Sequence, residues 1–312
     1  MKTIIDVSGL KKSYKNKEVI HGIDFVVNES EILCFLGPNG AGKSTTINII
    51  TGSLRCDGGC IQYRGESIYK DLLGFKARLG IVPQDLALYE DLSAEKNVLF
   101  FASLYGLKGS ALTEGCRFAL EFTGLSDKAK EKVNTFSGGM KRRLNVACAI
   151  AHKPELLIMD EPTVGIDPQS RNHILEGVKR LREQGVTILY TTHYMEEVEE
   201  IATRIIIMDV GNIIAEGTNE SLKSGVEGER HYRITTECKD ESEICGLSQI
   251  NGVKNVRFKD GVVIITTVRS VENLDKIITA LIAGGVKIND ITAETASLEM
   301  VFLHITGKSL RN

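Results

Sequence analysis

Gly37-Pro38-Asn39-Gly40-Ala41-Gly42-Lys43-Ser44 fits the pattern GxxxxGK[ST], in which residue type and spacing together make an anion cradle. The glycines let backbone N–H groups curl around phosphate oxygens, and the amides that open a following helix add partial positive charge. Lys43 reaches the terminal phosphates, and the Ser44 hydroxyl is placed to ligate Mg²⁺. Thr45 and Thr46 carry the candidate nucleotide contacts into the first turn of that helix. At average residue usage a chain of this length shows such a pattern by accident in roughly one case in a hundred. The context narrows the odds further. Glu31-Ile32-Leu33-Cys34-Phe35-Leu36 reads as a buried strand in front of it, and Thr45 to Ile50 as a helix behind it, ending near Gly52.

A second element with chemistry is Leu156-Leu157-Ile158-Met159-Asp160-Glu161-Pro162, an apolar strand that ends in two acids. Asp160 is suited to hold Mg²⁺ through water, and Glu161 to accept a proton from the water attacking a γ-phosphate. Gln84, after the apolar Ile81-Val82, can reach the metal or the attacking water. Phe136-Ser137-Gly138-Gly139-Met140 precedes a helix running to about His152, Gly165-Ile166-Asp167-Pro168 follows the acidic strand, and His193 closes the strand Val186 to Tyr190.

In this unbroken order the motifs resemble the ATP-binding cassette (ABC) family of transporter ATPases, over roughly residues 3 to 220. The resemblance implies that two copies close head to tail over two ATP molecules. Ser137, Gly138 and Gly139 would then face the γ-phosphate held by Lys43 of the other copy, which suits a serine helix cap followed by open amides. It also implies that Tyr14 stacks on adenine, a contact worth about 1–3 kcal/mol by analogy with base–aromatic stacking. His193 would hydrogen-bond the γ-phosphate, and Asp167 would belong to the loop coupling the two sites. The family's Leu-Ser-Gly-Gly-Gln is altered here at its outer positions, to Phe136 and Met140, while the Ser-Gly-Gly centre is kept. Lys141-Arg142-Arg143 places three cations in the first turns of the same helix, against its dipole, and reads as a solvated basic face.

The elements that must position these residues make an α/β fold. The resemblance gives it as a P-loop NTPase domain over residues 1 to 222, with a helical subdomain inserted at about 86 to 152, where the family meets its membrane partner. Ser93 is suited to cap a helix through Tyr105, and a second helix is expected over about Leu112 to Phe122. After His193 another helix starts, its glutamates read as a solvated face with Met195, Val198 and Ala202 turned inward. Ser221 to Arg230 is polar and reads as a linker. Residues 229 to 306 then read as an α+β ferredoxin-like domain. Its expected elements are strand His231 to Thr236, helix Glu241 to Ile250, strand Val253 to Phe258, a turn at Asp260-Gly261, strand Val262 to Val268, helix Val271 to Ala283 and strand Val286 to Ile291. A terminal helix carries Leu298, Val301, Phe302 and Ile305 on one face, and packing, dimerisation or regulation is the role expected of this domain.

Composition sets the outer limits. Thirty-eight Lys plus Arg against 41 Asp plus Glu give a net charge of −3, which argues against nucleic acid as the main partner. No apolar run approaches the ~20 residues of a spanning helix, and the N-terminus reads as lacking a signal peptide. Seven cysteines without a CxxC pair fit a reducing cytoplasm, with Cys34 and Cys148 as buried packing residues. With the resemblance, these features lead to one expectation. It is an ATP-hydrolysing homodimer, peripheral on the cytoplasmic face of the membrane, that drives a separate transmembrane permease. The wording around Asp167, Thr192 to Glu197 and Ser297-Leu298-Glu299 is similar to export cassettes for drugs, lipids and polysaccharides. The rival expectation is a soluble cassette ATPase acting on ribosomes or DNA. Such relatives usually carry two cassettes or long coiled coils, against one P-loop and no sustained heptads here.

Overall fold

Alternating apolar residues make β1 (Thr3–Tyr14) and β2 (Lys17–Asn28) strands with one buried face, and they pair antiparallel. β3 (Ile32–Leu36) instead buries every residue, as a strand inside a parallel sheet must. α1 (Lys43–Ile50) follows the glycine-rich loop, and β4 (Gly58–Tyr63) and β5 (Glu66–Ser67) complete a four-stranded sheet in the order β2-β1-β4-β5. Beyond α2 (Leu72–Lys76) comes β6 (Leu79–Val82), and then three helices without an intervening strand: α3 (Ala94–Leu104), α4 (Gly109–Phe122) and α5 (Gly138–Ile150). Ser93 accepts from the Lys96 amide and caps α3, as its position before an apolar-periodic run requires. Val98, Ala102, Ala119, Leu120, Leu144 and Ala147 form the buried seam among these helices.

The chain returns through β7 (Leu156–Asp160), α6 (Pro168–Glu183), β8 (Thr187–Thr192), α7 (Met195–Ile201), β9 (Arg204–Asp209) and β10 (Asn212–Gly217). The second sheet has the order β10-β9-β3-β8-β7-β6, parallel throughout except for the edge strand β10. Its strands therefore present their carboxyl ends along one edge, the place where open α/β sheets bind ligands. Leu33, Phe35, Leu156, Ile158, Leu189 and Ile206 share one core with Ile5, Val7 and Phe25 of the other sheet, and Phe25 meets Phe35 edge-on at 5.1 Å.

This computed structural model describes residues 2–15, 17–224, 229–237, 246–259, 261–294 and 297–306. It separates into two compact units, 1–218 and the segment that begins at Asn219. In the second, α8 (Asn219–Ser224) occupies part of the expected linker, because Asn219 to Ser224 closes helical hydrogen bonds; residues 225–228 lie outside the described set. β11 (Glu229–Thr236), β12 (Val253–Lys259), β13 (Val262–Val268) and β14 (Ile288–Glu294) pair antiparallel in the order β12-β13-β11-β14. α9 (Leu274–Ala283) covers one face through Ile277 and Leu281, against Tyr232, Ile234, Val263 and Ile265. Of the helix expected over Glu241 to Ile250, residues 241–245 lie outside the described set, and Leu247–Gln249 forms one 3-10 turn. Asp260 of the expected hairpin turn also lies outside it, while Gly261 takes φ +77°. α10 (Leu298–Thr306) buries Leu298, Met300, Val301 and Phe302.

Candidate functional site

Where β3 ends, the chain turns through the phosphate-loop residues into α1. Gly42 sits before the first helical residue at φ +105°, a conformation closed to residues with a Cβ. Lys43 is 4% exposed, and its ammonium donates to the carbonyls of Gly37 at 2.7 Å and Pro38 at 3.2 Å. Burial pushes the Lys43 pKa below its ordinary value, while Glu161 and Asp160 pull in the opposite direction. Ala41 is buried and braces the turn through its amide to Pro38. Thr46 departs from the expected contact set. Its amide and its hydroxyl both bond the Gly42 carbonyl, so it secures the first turn of α1 rather than facing the cleft.

Asn39, Gly40, Gly42, Lys43, Ser44 and Thr45 line a cleft of about 300 Å³ together with Gln84 and Glu161. Glu161 gathers three of the candidate side chains around its carboxylate. Oε1 is 3.4 Å from Lys43 Nζ and 3.3 Å from His193 Nδ1, and Oε2 lies 3.5 Å from Gln84 Nε2. Lys43 follows β3, Gln84 follows β6, Glu161 follows β7 and His193 follows β8, so four adjacent strand ends deliver four side chains to one point. Glu161 is held at φ +45°, in a left-handed conformation that costs a residue with a side chain about 1–3 kcal/mol. Two acceptors on Thr191, the carbonyl at 3.1 Å and the hydroxyl at 3.0 Å, bind the Glu161 amide and hold that turn. The Thr191 hydroxyl also pairs with Asp160 Oδ1 at 2.5 Å, which fixes the second acid at the strand's end. Hydroxyl, amide oxygen and carboxylate are the donor set that suits a hard divalent cation, and Ser44, Gln84 and Asp160 supply it.

Tyr14 stands at the end of β1, 48% exposed, with Lys12 Nζ 5.9 Å from its ring centre; it does not line the cleft. Ser137 caps α5 by accepting from the Met140 amide at 3.2 Å. Gly138 has open space where a Cβ would be, whereas a Cβ on Gly139 would lie 2.0 Å from Ser170 Oγ and 2.9 Å from Asp167 Oδ1. The two glycines therefore do different things: Gly139 admits the start of α6, and Gly138 leaves its surface free.

The chain is similar to known proteins. The family described as "ABC transporter" matches residues 20–164. The linearmycin resistance ATP-binding protein LnrL of Bacillus subtilis (strain 168) is 42% identical over 99% of this chain and 100% of its own length. The daunorubicin resistance ATP-binding protein DrrA3 of Streptomyces coeruleorubidus is 33% identical over 99% of this chain and 98% of its own. A solved structure described as an ATP binding subunit of an ABC transporter superposes with a TM-score of 0.66 at 29% identity, covering 72% of this chain and 93% of that one. The chain belongs to the ABC transporter family. It is an ATP-binding, ATP-hydrolysing subunit of that family, and no helix among the described residues is long and apolar enough to cross a membrane.

In this ABC ATPase two expectations about charged residues are overturned. Lys141, Arg142 and Arg143 do not form a free basic face. Lys141 pairs with Glu90 at 2.6 Å, and Arg143 donates to the Thr123 and Gly124 carbonyls at the end of α4. Arg142 is buried and donates to the carbonyls of Pro83 at 2.9 Å and Gln84 at 2.8 Å, tying the helix after Ser137 to the segment that carries Gln84. Backbone carbonyls leave no trace in a residue pattern, so no sequence signal marks these bonds. The second correction is Glu197, which is fully buried while Glu196, Glu199 and Glu200 are exposed. Its place beside Val198 on the inner stripe of α7 was the available clue.

Proposed function

We propose that this chain hydrolyses ATP in a head-to-tail homodimer and so drives a separate membrane permease that exports a drug-like small molecule. The observation that carries the hydrolytic part is the convergence of Lys43, Gln84 and His193 on Glu161 at neighbouring strand ends. ATP lies with its phosphates along residues 39–45, and Lys43 offsets their charge. Ser44 and Asp160, with Gln84 beside them, would hold Mg²⁺, which neutralises charge on the phosphates. Glu161 accepts a proton from the attacking water, and His193 hydrogen-bonds the γ-phosphate. Ser137 and the open Gly138 offer amides to the γ-phosphate of the partner's ATP, Gly139 keeps that turn close to Asp167, and Tyr14 stacks on adenine.

Breaking the γ-phosphate bond removes the anion that joins the two copies, so the dimer opens. Leu86, Tyr89, Phe100 and Leu104 are exposed on or beside the inserted helices, with Tyr89 and Phe100 ring centres 5.0 Å apart. An apolar patch of this kind suits a permease, and would place the chain on the inner face of a membrane. The export direction follows the two relatives, whose names record resistance to linearmycin and to daunorubicin.

Glu161→Gln keeps the side chain's size and removes the base. With MgATP this variant is expected to accumulate as an ATP-bound dimer by light scattering, and to release phosphate at least about a hundredfold more slowly. Wild-type turnover, or a dimer that never forms, would sink the reading. Co-purification with ribosomes and no integral membrane protein would favour the rival.

A further inference from the structure

The buried carboxylate of Glu197 is unused by the chemistry above, yet it accepts from four side chains on three different segments. Oε1 receives the Thr163 hydroxyl at 2.6 Å and Arg171 Nε at 2.9 Å. Oε2 receives the Tyr190 and Thr192 hydroxyls, both at 2.9 Å. A carboxylate offers about four lone-pair sites, so the set is complete, and burial with an arginine partner makes it a charge the fold has committed to. The burial of the network also pushes the Tyr190 phenol up, which keeps it a donor.

The four donors stand at informative places. Thr163 lies two residues beyond Glu161, across Pro162, and so pins the far side of the strained turn that presents Glu161. Thr192 precedes His193, and its hydroxyl also accepts from the Tyr194 amide at 3.0 Å; one oxygen therefore ties both neighbours of His193. Arg171 is on the first turns of α6, whose cap is Asp167, and its guanidinium lies 5.3 Å from the ring centre of Tyr194, which in turn lies 4.2 Å from the ring of His193. The segments that carry Glu161, His193 and Asp167 are thus all anchored to one carboxylate.

We infer that Glu197 is a positioning residue that sets the placement of Glu161 and His193 together and couples both to the Asp167 segment through Arg171. The inference rests on the hydrolytic reading of Glu161 and His193 and adds a residue to it. A shared anchor of this kind makes the two groups move as a unit, so its loss acts through them rather than beside them.

The test uses the full chain and a double-mutant cycle. Glu197→Gln removes the charge and an acceptor but keeps the shape. The expected result is a kcat for MgATP lowered about tenfold or more, with KM within about twofold. Glu197→Gln combined with His193→Ala is expected to lose clearly less than the product of the two single losses, because only the part that acts through Glu161 is left to lose, and Glu197→Asp is expected to recover part of the rate. A Glu197→Gln kcat within about twofold of wild type, or losses that multiply in the double variant, would overturn the inference. Should Glu197→Gln fail to fold, Thr192→Val removes one donor only and carries the same cycle: a drop in kcat that does not multiply with His193→Ala supports the anchor, and no drop or a multiplied one removes it. If Glu161→Gln itself kept wild-type turnover, the hydrolytic reading would fall; if only the Glu197 variants did, that reading would stand and the anchor would not.

Discussion

In the first unit five neighbouring strands, β9, β3, β8, β7 and β6, run parallel, and their carboxyl ends share one edge. In the second unit every neighbouring pair is antiparallel, so strand ends alternate between the two edges. The polar groups follow this difference. On the parallel sheet they leave the strand ends and meet one another, as Lys43, Gln84, Glu161 and His193 do. On the antiparallel sheet they staple the structure to itself: the Thr236 hydroxyl bonds the Gly261 carbonyl, the Thr267 hydroxyl bonds Arg230, and the Asn273 amide bonds Asn251. A parallel sheet gathers loops from distant parts of the sequence, and an antiparallel one disperses them. That is why the candidate site residues gather in one unit, although both have well-formed cores.

The comparison can be broken at the site first. Gly139→Ala would drive a Cβ into Ser170 and Asp167 and displace the start of α6, the helix that carries Arg171. Turnover is expected to fall about a hundredfold, as misplacement by about 1 Å does. Gly139→Ala with Ser170→Gly should recover part of the loss, and Gly138→Ala should leave the melting temperature unchanged. Steady-state phosphate release and thermal melts of the three variants check this.

A smaller effect is expected at the joint between the inserted helices and the parallel sheet. His152 stacks on Tyr105 at 3.6 Å and bonds the Leu79 carbonyl at 2.9 Å. Burial holds its pKa down at about 4, against an ordinary value of 6.5. The unfolded chain takes up the proton near pH 6.5 while the folded one does not. This contribution is therefore intact above pH 6.5 and is lost as pH falls, by about 2 kcal/mol between pH 6.5 and 5. Urea titrations across that range should show the loss, and His152→Gln should flatten it.

The smallest effect on ATP chemistry is expected from the second unit. Ile265→Ala opens its core between α9 and the sheet, and should destabilise that unit by about 2–5 kcal/mol. KM for MgATP is expected to stay within about twofold. A larger change would show that the antiparallel unit does take part in nucleotide handling.

Local pattern made much of this legible. The phosphate loop shows its strand, its glycines and its helix within some twenty residues, and the acidic strand and Ser93 cap are equally local. The charged residues that were misread share one cause, because each has a partner far along the chain. Arg142 bonds carbonyls 58 and 59 residues away, and Glu197 bonds a threonine 34 residues away. Charge alone places such residues outside, and only the facing element makes an inner position satisfiable.

Residue order alone determined which atoms are offered to a nucleotide: an ammonium at Lys43, a hydroxyl at Ser44, acids at Asp160 and Glu161, an imidazole at His193. Their meeting along one sheet edge was decided by the strand order β3-β8-β7-β6, in which neighbours in space are far apart along the chain. Hydrogen bonds across those neighbours, such as Thr191 to Asp160, belong to no single segment. They exist because packing the apolar faces of the strands brings those ends side by side.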